Sequence, residues 1–167
     1  VSLQPLFQGG EQEKTLRPGT ENTAAIAGFG LAARINETLL EDNAAQLYRL
    51  KEKLYRGLQQ AGVEVYLNGP PLEQAAPHIL NLSFPGIKSE VLLHFLEENE
   101  IYVSAGSACH SRRPEPSHVL AAIGLDESRL FSALRFSFSS FNNLTEINRV
   151  IERIVPAIRE LKTYQDR

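Results

Sequence analysis

A chain of 167 residues with 43% hydrophobic residues, 22% charged residues and a net charge of -3 has the make-up of one soluble globular domain, with room for a short extension. That balance gives no electrostatic reason to expect nucleic acid or an anionic membrane as partner. No apolar run approaches the roughly 18 residues of a membrane span.

VSLQPLFQGG, the opening segment, lacks a basic stretch followed by an apolar one and does not read as a secretion signal. Pro5, Gly9, Gly10, Pro18 and Gly19 punctuate residues 1–20, which read as irregular. The chain contains no methionine, so something upstream of Val1 is expected to have been removed or omitted. Asn22 is a plausible N-cap for a helix running to Gly62, with Leu47, Leu50, Leu54 and Leu58 on one face. Such a helix would be about 60 Å long at about 1.5 Å per residue. It is expected to break near Glu41-Asp42-Asn43 or to cross a partner surface.

Val63 to Leu67 alternates like a half-buried strand and ends at Asn68-Gly69-Pro70-Pro71. His78 to Phe84 reads as a second strand. Ser89 is placed to cap a helix carrying Val91, Leu92, Phe95 and Leu96. Ile101 to Val103 reads as a short strand entering Ser104-Ala105-Gly106-Ser107-Ala108-Cys109, and Pro116 suits the first turn of a short helix ending at Gly124. Leu134 to Ser139 alternates strictly. Thr145 is placed to cap a last helix, apolar on one face from Ile147 to Leu161, which Pro156 should kink. The order predicts an α+β fold, a small and mostly antiparallel sheet covered by helices.

Cys109 is the chain's only cysteine, so no internal disulfide forms, which suits a reducing, cytoplasmic setting. A lone cysteine is usually a small buried hydrophobe. This one follows a run of small residues and precedes His110, Arg112 and Arg113, a basic setting that favours the reactive thiolate. On these features alone the two readings stand level. Cys109, His110 and His118 do not make a structural zinc site, because no C-x-x-C or second cysteine accompanies them. His78 and His94 read as surface or packing residues. Gly9-Gly10 lacks the strand before it and the Gly-Lys-Ser/Thr after it that a phosphate-binding loop needs.

The string SAGSACHSRRPEPSHVLAAIGL, residues 104–125, resembles the active-site loop of the cysteine desulfurases, in the branch known from iron–sulfur and nitrogenase assembly. That family reads roughly S-S/A-G-S-A-C, a short loop, then E-P-S-x-V-L and G. GGEQEKTLRPGTEN, residues 9–22, is similar to the family's G-G-G-Q/H-E-x-x-x-R-S-G-T, with Glu11 for the third glycine and Pro18 for the serine. LRFSFSSFNNLTEI, residues 134–147, resembles its I-R-F-S-x-x-x-x-x-T-x-E-E-I. The three matches fall in the family's order and span most of the chain.

The resemblance implies the C-terminal domain of a fold type I pyridoxal phosphate transferase that converts L-cysteine to L-alanine and passes the sulfur on as a persulfide. Cys109 would be the nucleophile that holds that sulfur. Arg135 would bind the substrate carboxylate, and strand alternation turns it away from the core. Thr20 would reach the cofactor phosphate of the other subunit in a homodimer; the competing reading is a helix cap, for which Asn22 also qualifies. The family's Schiff-base lysine lies in an upstream stretch that Lys14, Lys51, Lys53, Lys88 and Lys162 do not match. The chain alone is therefore expected to be inactive. Residues 1–20 are expected to be a segment that docks on the missing large domain, and 21–167 the small domain carrying the cysteine loop, about 104–116. The implied partners are L-cysteine and a sulfur acceptor or iron–sulfur scaffold protein, with no nucleic acid, membrane or metal. Alternatives are a stand-alone module that accepts persulfide on Cys109, and a selenocysteine lyase of the same fold.

Overall fold

Asn22 starts the first helix: its Oδ1 accepts from the N–H of Ala25 at 3.0 Å, the arrangement of an N-cap. In this computed structural model, which describes residues 3–106 and 117–165, helix α1 then runs unbroken over Thr23–Gln60. The expected break at Glu41-Asp42-Asn43 is absent; what changes there is packing. The chain's contacts divide it into two units, Val1–Leu40 and Glu41–Arg167. In the first, Ile26, Phe29, Leu31, Ile35, Leu39 and Leu40 are exposed. In the second, Leu47, Leu50, Leu54 and Leu58 are buried, as their spacing predicts.

Helix α1 ends because Gly62 adopts φ +75°, and its N–H bonds back to Gln59 while that of Val63 bonds to Leu58. This spends the amide of Val63, so strand β1 covers only Tyr66–Leu67. Val63 and Val65 go to the core. Strand β2 is Ile79–Ser83. Helix α2 is Ser89–Glu98, entered from Lys88 without a side-chain cap. Ser89 is not the cap but the first residue inside the helix, and its N–H donates to the carbonyl of Phe131 at 2.9 Å. At the other end Ile101 donates to Leu96, as Val63 does to Leu58, so β3 forms at Ser104–Ala105 and not at Ile101 to Val103.

Helix α3, His118–Ala122, is capped by Ser117 and stopped by Gly124 at φ +82°; Pro116 lies outside the described residues. A short helix that the sequence pattern did not reveal, α4, covers Glu127–Leu130 under the cap of Asp126. Strand β4 is Ala133–Ser137, and helix α5 is Leu144–Gln165, continuing through Pro156. Its cap is Asn143 and not Thr145. The Oδ1 of Asn143 accepts from the N–H groups of Thr145 and Glu146 at 3.0 and 3.1 Å. Glu146 in turn accepts from the N–H of Asn143 at 3.0 Å, closing a capping box.

The sheet has the order β1-β2-β4-β3 with every pair antiparallel. Leu80 pairs with Phe136 and Leu82 with Leu134, and these buried residues join α1, α2 and α5 in one core. Helices α1 and α5 approach closely at Gly57, where a Cβ would lie 2.5 Å from Ile151 Cδ1. The expected α+β architecture is therefore observed. No helix is long and apolar enough to cross a membrane among the described residues.

Candidate functional site

Alternation along β4 buries Leu134 and Phe136 and leaves Arg135 and Ser137 exposed. Arg135 stands directly opposite Asn81 of β2 on one side and Ser104 of β3 on the other. Directly opposed residues point to the same face, so the three form a polar row across three strands. Arg135 Nη2 donates to Ser104 Oγ at 3.3 Å, which draws the guanidinium toward β3.

Behind Asn81 lies a closed set of hydrogen bonds. Arg129 Nη2 donates to the Leu67 carbonyl at 2.8 Å and to Asn68 Oδ1 at 2.7 Å. Asn68 Nδ2 donates to Asn81 Oδ1 and to Ser83 Oγ, each at 2.7 Å. Ser83 Oγ returns its proton to the carbonyl of Arg129 at 2.7 Å. Asn68 and Ser83 are buried, and the Arg129 guanidinium also lies 5.5 Å from the centre of the Tyr66 ring. Such a network is stabilising when its members are satisfied. Arg129 Nε alone is buried without a partner among the described residues.

Ser104 and Ala105 form β3, and Gly106 follows at φ +53°. Strand β3 thus sets Ser104, five residues before Cys109 in sequence, beside Arg135. Cys109 itself, with His110, Arg112 and Arg113, lies outside the described residues. Among the described residues no cluster of histidine, cysteine, aspartate and glutamate could hold a metal. His94 pairs with Glu97 at 3.1 Å on the surface, His78 lends its carbonyl to Phe138, and His118 is an exposed residue opening α3.

In the first unit Thr20 is exposed, and among the described residues its hydroxyl makes no hydrogen bond. The helix cap belongs to Asn22. The segment before Thr20 is tied to itself: Gly19 N–H donates to Gln12 Oε1 at 3.2 Å and Arg17 donates to the Gly19 carbonyl at 3.0 Å. A Cβ on Gly9 would lie 2.5 Å from Pro18 Cβ, so glycine is needed where the two arms of this turn meet. Glu13, Lys14 and Thr15 all take positive φ, between 52° and 65°. Such left-handed residues store strain.

Asn81, Ser104, Asn68 and Arg129 were not singled out by the sequence pattern. The available signal was a polar Asn81 set between Leu80 and Leu82 in the strand.

The family model described as Aminotransferase class-V matches residues 2–150. The chain is similar to the cysteine desulfurase IscS of Methanosarcina thermophila, 36% identical over 162 residues, covering 97% of this chain and 40% of the relative. It is similar to that of Clostridium botulinum, 38% identical over 161 residues, covering 96% and 41%. A solved structure described as a NifS-like protein superimposes with a TM-score of 0.77 at 32% identity, over 95% of this chain and 40% of that one. The chain spans about two fifths of the length of these relatives. The family match extends over residues 2–150, a span that includes Thr20, the cysteine loop and Arg135, and on that ground the chain belongs to the aminotransferase class-V family.

Proposed function

We propose that this chain is the C-terminal part of a pyridoxal phosphate-dependent cysteine desulfurase. In this reading residues 21–167 form its small domain and residues 1–20 dock on a large domain. The reading rests above all on the placement of Arg135, exposed beside the strand that leads into the Cys109 loop. The similarity to proteins named cysteine desulfurase supports it.

Arg135 offers a planar fork of donors, matched to the carboxylate of L-cysteine. Its hydrogen bond to Ser104 limits its rotation. Cys109, flanked in sequence by His110, Arg112 and Arg113, reacts as the thiolate. Its Sγ attacks the substrate sulfur, so an S–S bond forms as the substrate's Cβ–S bond breaks. The sulfur stays on Cys109 as a persulfide, and the carbon remainder gains a proton and leaves as L-alanine. The persulfide then passes to a sulfur acceptor or iron–sulfur scaffold protein in the cytoplasm.

Pyridoxal phosphate, when bound, supplies the electron sink that weakens the substrate's carbon–sulfur bond. The exposed hydroxyl of Thr20, free of any cap role and following Gly19 at φ +102°, fits a phosphate oxygen; in a homodimer it would hold the phosphate of the other subunit's cofactor. This chain's lysines do not match the family's cofactor lysine, so the chain alone has no anchor for the group.

In the full-length protein, Cys109→Ala should abolish sulfur release from L-cysteine while keeping the cofactor's visible absorbance. Retained turnover would sink the nucleophile assignment. Arg135→Ala should chiefly raise KM.

A further inference from the structure

We propose that Asn81 is a second donor to the substrate carboxylate, oriented by a hydrogen-bond relay that begins at Arg129. The proposal rests on the desulfurase reading above, in which Arg135 binds that carboxylate.

The orientation of each amide in the relay follows from who can donate. A guanidinium has no acceptor, so the atom of Asn68 that meets Arg129 Nη2 at 2.7 Å must be the oxygen. The Asn68 amide NH2 therefore faces Asn81 and Ser83. Ser83 has spent its own proton on the Arg129 carbonyl and can only accept there. The atom of Asn81 that meets Asn68 must then be its oxygen, at 2.7 Å. Reversing any one of these amides would set donor against donor.

Sheet order turns this chemistry into a direction. Asn68 follows directly on β1, which borders β2 on one side, and Arg135 stands on β4, which borders it on the other. With its oxygen turned toward Asn68, Asn81 turns its NH2 toward Arg135, on the same face of the sheet. Among the described residues nothing accepts from that NH2. Opposed side chains on neighbouring strands are about 5 Å apart at Cβ, a gap that one carboxylate can bridge. A carboxylate offers about four lone-pair positions, and a bidentate arginine uses two. Asn81 fits a remaining one without adding charge. Ser104 holds the guanidinium from the far side, so the row reads Asn81, carboxylate, Arg135, Ser104.

The test uses the full-length enzyme and three variants, Asn81→Ala, Asn68→Asp and the two combined. Asn81→Ala removes the donor and should raise KM for L-cysteine about tenfold with kcat within about twofold. Asn68→Asp keeps the oxygen for Arg129 but presents no donor to Asn81. The Asn81 amide should then reverse, so KM should rise comparably from a residue that touches no substrate. Both variants act on one donor, so the double variant should be no worse than Asn81→Ala, whereas independent effects would add. The Kd for the product L-alanine, measured by calorimetry, should weaken in parallel. A wild-type KM in Asn81→Ala, or additive effects in the double variant, overturns the proposal. If Asn81→Ala does not fold, a wild-type KM in Asn68→Asp overturns it alone. Arg135→Ala separates the two levels. If the full-length protein does not turn over L-cysteine, the desulfurase reading fails; if Arg135→Ala leaves KM unchanged, the carboxylate role of Arg135 fails and this proposal with it; if it raises KM while Asn81→Ala does not, only the Asn81 assignment falls.

Discussion

Glu100 ends α2 in the left-handed conformation, at φ +60°, a position where glycine normally stands. Its N–H bonds to Glu97 and the following N–H to Leu96, so the cap is well formed but carries a side chain that strains it. The exposed ion pair from Glu100 to Arg149, at 2.9 Å, offsets little of that strain. Glu100→Gly should therefore stabilise the protein by about 0.5–1 kcal/mol, read as a higher urea midpoint with an unchanged slope. Lys51 behaves differently. Fully buried, it donates to the Ala76 carbonyl at 3.0 Å and lies 4.9 Å from the centre of the Tyr48 ring. Burial pushes its pKa below the usual 10.5, and the nearby Glu73 only partly opposes this. The unfolded chain thus holds the Lys51 proton more tightly than the folded one. The stabilisation linked to this group is fully present above pH 10.5 and is lost as pH falls through the lowered folded value. Urea titrations across that window should show stability gaining with pH in the wild type relative to Lys51→Met, where this component is absent. Arg135 was legible in the sequence at this scale, because alternation along one strand is a local property. Asn81 was not, because its meaning comes from the residue across from it.

Each helix of the second unit is set by its ends. The terminating bonds after α1 and α2 take the amides of Val63 and Ile101, and this is why β1 is shorter than its alternation predicts and β3 starts beyond Ile101 to Val103. A strand-like pattern shows which side chains are buried; it does not show which N–H groups are already spent. The cap of α5 illustrates a second ambiguity, since Asn143 and Thr145 are both good cap residues two positions apart. Asn143 wins because Glu146 stands three residues later and can close the box. Asn143→Ala should cost about 1–2 kcal/mol in thermal or chemical unfolding, and Thr145→Ala no more than about 0.5. Equal losses at the two positions would contradict the assignment.

Over the whole molecule, α1 belongs to two regimes. Up to Leu40 its apolar residues are exposed, whereas from Leu47 they enter the core. A helix without a buried face has little beyond its own hydrogen bonds to hold it. Amide exchange over Thr23–Leu40 should accordingly run at least about tenfold faster than over Leu47–Leu58. Uniform protection along α1 would show that something covers the first half.

The amino-acid sequence by itself determined the kinds of element, the apolar faces of α1 and α5, the α+β class and the exposed side of Arg135. All of these follow from periodicities of two or 3.6 residues, which neighbours along the chain impose. Only the tertiary structure decided that Asn81, Arg135 and Ser104 stand in one row and that Arg129 reaches Asn68. Those relations join residues 23, 31 or 54 and more positions apart, or cross between strands whose pairing depends on the packed core. Strand register is a property of the whole sheet, and no local pattern contains it.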